Sequence, residues 1–450
     1  MDSLPHRLKT YSNIATELSF LSNQQLSDLL DQAEPFHTGV GGTSVLLRLN
    51  RVLSKLAYAD EVQGASEHRP QNVYGIPEES STEATKQFAA EVEFRKNSNE
   101  TLLFVKRIPL TDLERIPENI MSTANLFDLP LYYQYGIGSK GFSAWRELAA
   151  HQMASNWVIA GKCPHFPLLY GWRILPHCKR RSISETLSKE QAKKLEPVFK
   201  VAEADEGQGA DGAQKLSVQK LLDASSTGAT KPFAASVEFE GRFLKSELEY
   251  WENHPKVCNR LEAIQNASAD LILFLEYIPH NLHQWLGKQL TSKEYELEQS
   301  LSMMDENIAT ITEFMSKQKF IHGDLHFKNI LTDGTRLYFT DFGLALSSKF
   351  ELTAEEIEFF NKHHNYDQAN AAIGFLDSTF SNLFGKELWS TSIQEYFSSK
   401  KITLAPALES RIKRHTPVAL AMDQFYQKLM KESRSTPYPT ALLEELIGKR

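Results

Sequence analysis

Two acidic side chains and one amide, close together in the chain, have the types and spacing for chemistry. Asn329 follows Asp324 by five residues, and Asp341 comes twelve residues after Asn329. Between them, Asp333-Gly334 separates two short apolar runs, a sequence typical of a tight hairpin turn. The predicted order is therefore loop, strand, turn, strand, loop. This order would bring Asp324, Asn329 and Asp341 to one end of the hairpin.

This set of side chains suits the transfer of a phosphoryl group. One carboxylate can orient the attacking hydroxyl, and a second carboxylate with an amide oxygen can hold Mg²⁺ against nucleotide phosphates. The spacing Asp-x-x-x-x-Asn followed by Asp-Phe-Gly is the signature of protein-kinase-like sites. The alternative, a chance hairpin rich in Asp and Gly, is disfavoured because both motifs have the expected apolar flanks.

The chain resembles the protein-kinase-like superfamily and, more closely, a set of bacterial proteins labelled serine/threonine-kinase-like. The resemblance covers most of 36–50, 100–176 and 245–440. The stretches that carry it are Thr38–Ser44, Phe104–Leu110, Ala144–Leu148 and Leu275–Tyr277. It implies an α+β, two-lobed protein-kinase-like fold with a small, mostly β N-lobe and a larger, mostly α C-lobe. It also implies ATP and Mg²⁺ as cofactors.

The resemblance assigns catalytic roles to three residues. Asp324 matches the catalytic-loop aspartate that accepts or orients the substrate hydroxyl. Lys106 matches the lysine that contacts the nucleotide phosphates, and Glu147 is the expected helix carboxylate that pairs with it. The separation of 41 residues between Lys106 and Glu147 is longer than usual for the family, so Glu114 and Glu118 remain competitors for this pairing.

Nucleotide and metal binding are assigned in the same way. Asn329 and Asp341 match the two metal ligands. The glycine turn would cover the phosphates with backbone N–H groups, although Ser44 stands where the third glycine is usual. The segment from Glu276 to Ile278 resembles the hinge that bonds adenine. The residues assigned to nucleotide binding are Gly39, Gly41, Gly42, Lys106, Glu276, Ile278, Asn329 and Asp341.

Several strands and helices must position these side chains. Strands come first and helices after, which favours an α+β chain of two lobes. A long helix is predicted from apolar residues between Leu297 and Met315 that step by three and four, and a capping box of Thr291 and Glu294 is expected before it. A second capping box is expected at Thr353 and Glu356. The other predicted elements are strands Thr101–Ile108, Phe166–Ile174 and Leu271–Ile278 and the helix Phe142–Ile159.

The predicted organisation has three parts and two insertions. Residues 1–35 are expected to be an N-terminal leader of one or two amphipathic turns, 36–278 the N-lobe, and 279–450 the helical C-lobe. A 15-residue stretch at 80–94 recurs at 225–239 with 12 identities. The repeated units are poor in large apolar residues. We therefore expect two related surface insertions, at about 51–99 and 177–243, with a paired docking element as the alternative.

Composition limits the partners and the compartment. The chain has 450 residues with 49 Lys and Arg against 57 Asp and Glu, a formal charge of −8, so a general nucleic-acid binder is not expected. Three cysteines cannot form a disulfide framework. No stretch has the length of a membrane span. A cytoplasmic protein is expected, and delivery into another cell stays open.

The acceptor class stays open between a protein and a small molecule. The catalytic loop reads His-Gly-Asp, and no Ala-Pro-Glu follows Asp341-Phe342-Gly343. Aminoglycoside and choline kinases share both features. The first hypothesis is a kinase whose acceptor is a protein Ser or Thr hydroxyl, and the second is a small-molecule kinase. A pseudokinase scaffold and a nucleotidyl transferase are the remaining alternatives.

Overall fold

The computed structural model describes residues 4–39, 42–50, 100–177, 245–385 and 404–448. Both expected insertions lie outside the described residues, apart from His177 at the edge of the second one. Gly41, in the glycine turn, also lies outside them.

An antiparallel sheet of five strands carries Lys106. The strand order is β1-β2-β3-β5-β4, and Lys106 in β3 is flanked by Ser44 of β2 and Leu273 of β5. β5 is buried along almost its whole length, as expected from its continuous apolar sequence. The five strands are β1 (Glu34–Gly39), β2 (Gly42–Asn50), β3 (Glu100–Leu110), β4 (Leu169–Pro176) and β5 (Ala269–Glu276).

Helices make up most of the described chain after β5, and short strands lie among them. Mixed helix and strand content of this kind is consistent with the expected α+β class. The helices are α1 (Leu4–Phe20), α2 (Asn23–Asp31), α3 (Asp112–Arg115), α4 (Ala144–Ile159), α5 (Pro255–Gln265), α6 (Leu282–Gln289), α7 (Glu294–Lys317), α8 (Ala354–Lys362), α9 (Tyr366–Phe384), α10 (Pro406–Lys431) and α11 (Thr440–Gly448). The short strands are β6 (His280–Asn281), β7 (Phe320–Ile321), β8 (Ile330–Thr332), β9 (Leu337–Phe339) and β10 (Leu346–Ser347).

The predicted helix starts are right at one position and wrong at another. α8 begins with the expected capping box of Thr353 and Glu356. The box expected at Thr291 and Glu294 is absent, because Lys293 occupies the N-cap of α7 without a side-chain cap. The Thr291 hydroxyl instead donates to the Lys288 carbonyl at 2.8 Å, so it caps the end of the preceding helix.

Residues 4–31 form more structure than the one or two amphipathic turns expected of a leader. They fold into α1 and α2, which pack against the sheet. Leu18, Leu26 and Leu30 are buried in the same apolar cluster as the strands and the later helices. The physical reason is that these apolar side chains are buried where α1 packs against β4 and α2 packs against β2 and β4. Among the described helices, none is long and apolar enough to cross a membrane.

Candidate active site

The β8–β9 hairpin positions two of the three acidic and amide side chains. β8 pairs with β9 from Ile330↔Phe339 to Thr332↔Leu337. In the turn, the Asp333 carboxylate accepts the Thr335 and Arg336 amides, each at 2.9 Å. Asn329 precedes the hairpin and Asp341 follows it. The Thr340 amide donates to the Asn329 carbonyl at 3.1 Å, which ties the two ends together.

Lys106 lies between two carboxylates. Its Nζ is 2.5 Å from Glu147 Oε1 and 2.6 Å from Asp341 Oδ1. β3 supplies the lysine, α4 supplies Glu147, and the loop after β9 supplies Asp341. The two other candidates for the partner of Lys106 have different surroundings. Glu114 is buried against the Ala144 amide at 2.7 Å and Arg260 at 3.0 Å, and Glu118 is exposed.

The electrostatics of this cluster keep Lys106 charged. Burial alone would lower the pKa of Lys106, but the charges of Asp341 and Glu147 outweigh it and raise the pKa above its usual value. Burial disfavours the charged form of Asp341, yet Lys106 holds the pKa of that carboxyl well below its usual range. Burial raises the pKa of Glu147, and Lys106 offsets part of that rise. The ammonium and the Asp341 carboxylate are therefore both charged at neutral pH.

Asp341 has a left-handed backbone, with φ of +65°. Among non-glycine residues, Asp tolerates this conformation better than most, and such strain is concentrated at functional sites. The next residue holds it in place, because the Phe342 ring packs 4.8 Å from the His151 ring and 5.1 Å from the His322 ring. The backbone around Asp341 is thus fixed by buried ring contacts with His151 of α4 and with His322.

Asp324 lies beside Asn329. The Asn329 Nδ2 donates to the Asp324 carbonyl at 3.0 Å and to Asp324 Oδ2 at 3.2 Å. The Asp324 side chain is 29% exposed, and His326 Nε2 is 3.7 Å from Oδ2. Burial raises the pKa of Asp324, while His326 lowers it. The carboxylate therefore has one oxygen toward Asn329 and His326 and remains partly open to solvent.

A buried aspartate in α9 binds the backbone of the loop that carries Asp324. Asp367 accepts the His322 amide at 2.7 Å and the Gly323 amide at 3.1 Å. Gly323 has φ of +81°, and a Cβ there would lie 2.1 Å from the Leu344 carbonyl oxygen, so only glycine fits. Sequence reasoning missed Asp367. The available signal was that α9 holds two acidic residues, Asp367 and Asp377, and no basic residue.

Three of the residues expected to bind the nucleotide belong to the five-stranded sheet: Gly39, Gly42 and Glu276. Gly39 of β1 pairs with Gly42 of β2, so the two glycines flank the turn. Glu276 ends β5, where its amide donates to the Leu168 carbonyl at 2.8 Å. Ile278 follows the strand and is buried.

Arg7 holds the side chain of Glu276 and was also missed in the sequence. Its guanidinium donates to both Glu276 carboxylate oxygens at 2.6 and 2.8 Å. It also donates to the Pro164 and Phe166 carbonyls, each at 2.7 Å. The Glu276 carboxylate is therefore occupied within the protein.

Comparison with known families covers part of this site. A family model described as protein tyrosine and serine/threonine kinase matches residues 237–358. The match supports the protein-kinase-like superfamily. It includes Asp324, Asn329 and Asp341 but begins after Lys106 and Glu147 in the chain, so those two rest on geometry. A search of curated proteins found no match.

Proposed function

We propose that the protein is an ATP- and Mg²⁺-dependent phosphotransferase of a two-lobed kinase fold, with its lobes at 36–278 and 279–450. It would transfer the γ-phosphate of ATP to a hydroxyl of a protein Ser or Thr. The observation that carries the proposal is the placement of Lys106 Nζ 2.5 Å from Glu147 and 2.6 Å from Asp341. A lysine fixed between two carboxylates is suited to contact phosphate oxygens beside a metal site.

The donor set of Asn329 and Asp341 fits Mg²⁺. Mg²⁺ prefers oxygen ligands and is usually held by one or two carboxylates with substrate phosphates. The Asp341 side chain is 46% exposed, and Asn329 uses its amide nitrogen within the protein, which leaves its oxygen as a ligand atom. When bound, the metal would neutralise charge on the nucleotide phosphates.

In the proposed reaction, each side chain has one task. Glu147 orients Lys106, and Lys106 contacts the phosphates together with the backbone of the turn at Gly39 and Gly42. The acceptor oxygen forms a bond to the γ-phosphorus as the bond to the bridging oxygen of ADP breaks. Asp324 orients the acceptor hydroxyl and receives its proton.

A small-molecule acceptor is the second candidate, and one observation favours it. Only ten residues separate Gly343 from the start of α8 at Ala354, and they lack Ala-Pro-Glu. A protein acceptor is usually bound by a longer segment at this place. A pseudokinase scaffold is disfavoured, because such a scaffold has no physical need for Lys106, Asp324, Asn329 and Asp341 together.

One experiment separates these functions. Purified protein is incubated with Mg²⁺ and γ-labelled ATP, with and without a cell lysate. Label in protein supports the Ser/Thr kinase, and label only in small metabolites supports the second candidate. Absence of any ATP binding by calorimetry would overturn both and favour the scaffold.

A further inference from the structure

A segment between β3 and α4 lies directly on the catalytic aspartate. This segment, residues 131–141, is named here the crossing segment. A Cβ built on Gly136 would lie 2.5 Å from Asp324 Oδ1, and one on Gly141 would lie 2.4 Å from the Gly343 carbonyl oxygen. Real Cβ atoms do not come so close to an oxygen. The two glycines therefore let the backbone contact both the catalytic loop and the residues after Asp341.

The crossing segment is anchored on both sides of this contact. Gln134 Nε2 donates to the Leu344 carbonyl at 2.5 Å. The Tyr135 hydroxyl is 2.9 Å from His363 Nε2, and its ring is buried among aromatic rings of α8, α9 and α10. The Tyr250 hydroxyl donates to the Ile137 carbonyl at 2.6 Å. A segment held at three points cannot move away from Asp324 without breaking these contacts.

This contact leaves the two oxygens of Asp324 in different surroundings. Oδ1 faces Gly136, and Oδ2 lies 3.2 Å from Asn329 Nδ2 and 3.7 Å from His326 Nε2. The His326 side chain is half exposed, so solvent reaches the Asp324 carboxylate from the side of His326. An acceptor hydroxyl would have to reach Asp324 past His326, because the backbone of Gly136 closes the other side.

We propose that the crossing segment forms the acceptor-side wall of the site and that Gly136 is a positioning residue for Asp324. This inference rests on the proposed phosphotransfer. The wall would fix the direction of the carboxylate before the acceptor arrives.

The test is Gly136→Ala in the full-length protein. Gly136 does not have a positive φ, so alanine costs no backbone strain there. The added methyl would displace the Asp324 carboxylate, the movable end of a side chain, and should leave the fold intact. We expect kcat to fall about 10²-fold, the size of effect that a misplaced catalytic group produces. The KM for ATP and the calorimetric Mg-ATP affinity should stay unchanged.

The matched control is Gly171→Ala in β4, where the new Cβ would meet only Leu18 Cδ1 at 3.9 Å, an ordinary contact. Turnover is measured as the γ-label that leaves ATP, to water or to lysate protein. If the wild type is active and Gly136→Ala has an unchanged or increased kcat, this inference is overturned and the proposed function still stands. Wild type that binds Mg-ATP but never turns it over would overturn the proposed function, and this inference with it.

A second variant tests the role of the crossing segment if Gly136→Ala fails to fold. Tyr250→Phe removes the hydrogen bond to the Ile137 carbonyl and changes a residue that is 41% exposed. We expect kcat to fall about 3- to 10-fold, the effect of losing one hydrogen bond, again without a change in Mg-ATP affinity. Wild-type kcat in Tyr250→Phe would then overturn the role of the crossing segment.

Discussion

At the scale of single residues, Asp324 and Asp341 are both acidic but have different surroundings. Lys106 contacts Asp341 at 2.6 Å, whereas Asp324 is bound by the neutral amide of Asn329. Only Asp341 therefore belongs to the charged cluster that would hold the nucleotide. The two aspartates should differ accordingly when they are replaced.

Replacement of Asp324 by Asn should stop turnover and spare nucleotide binding. Asparagine keeps the shape of the side chain but cannot accept a proton from the acceptor hydroxyl. We expect kcat to fall about 10²-fold or more, the scale of losing a positioned base. Mg-ATP affinity, measured by calorimetry, should stay close to wild type. Asp112→Asn, an exposed aspartate in α3, is the control, and full activity in Asp324→Asn would show that another group handles the proton.

Replacement of Asp341 by Ala should weaken nucleotide binding as well as turnover. It removes the carboxylate that would coordinate the metal, and it takes one of the two anionic partners from Lys106. We expect the calorimetric affinity for Mg-ATP to fall together with activity. An unchanged affinity in this variant would mean that Asp341 is not the metal ligand.

At the scale of elements, the position of α4 determines whether Glu147 meets Lys106. Arg146, the neighbour of Glu147, donates to Glu356 of α8 at 2.7 Å, and both side chains are only 2% exposed. Arg146 Nε also donates to the Thr123 carbonyl at 2.6 Å. α4 is thus bound to a helix of the second half of the chain by a buried ion pair.

Arg146→Met should therefore destabilise the protein strongly. It keeps apolar volume but leaves the buried Glu356 carboxylate without its partner. We expect the free energy of unfolding in urea to fall by about 3–5 kcal/mol, the cost of breaking a buried pair. Lys317→Ala breaks an exposed pair with Glu313 and should cost no more than about 1 kcal/mol. A similar, small loss in both variants would mean that the Arg146 pair does not hold α4.

Local patterns explain which elements the sequence predicts. The β8–β9 hairpin follows from Asp333-Gly334 and its apolar flanks, so Asn329 and Asp341 could be placed at one end of it. The α4 helix was predicted to start at Phe142 and starts at Ala144, where the Ser143 hydroxyl accepts the first amides. Such features depend on residues a few positions apart.

Contacts between distant residues explain what the sequence did not predict. Arg7 meets Glu276 across 269 positions, and Gly136 meets Asp324 across 188. Nothing in the local sequence of either residue indicates its partner, because the contact exists only after the sheet and the helices have packed. The buried arginine in α1 and the glycine of the crossing segment therefore appear only in the structure.

At the scale of the whole molecule, the N-terminal helices and the first expected insertion are predicted to contribute differently to the core. α1 and α2 bury leucines in the main apolar cluster, so removal of residues 1–33 should remove buried apolar area and the Arg7 contacts. The first expected insertion instead joins β2 to β3 between Asn50 and Glu100, which are directly paired strand residues. A short turn could close that hairpin.

Deletion of both repeated units, about 55–94 and 200–239, should leave a folded protein that still binds Mg-ATP. The cost of closing a loop grows only with the logarithm of its length, and the units carry few large apolar residues. The check is a melting curve with an Mg-ATP titration, beside a variant that lacks residues 1–33. We expect the double deletion to melt within about 8 °C of wild type, the shift that corresponds to roughly 2 kcal/mol, and the N-terminal deletion to melt far lower. A larger drop in the double deletion would show that the repeated units belong to the core, because only the loss of buried contacts could account for it.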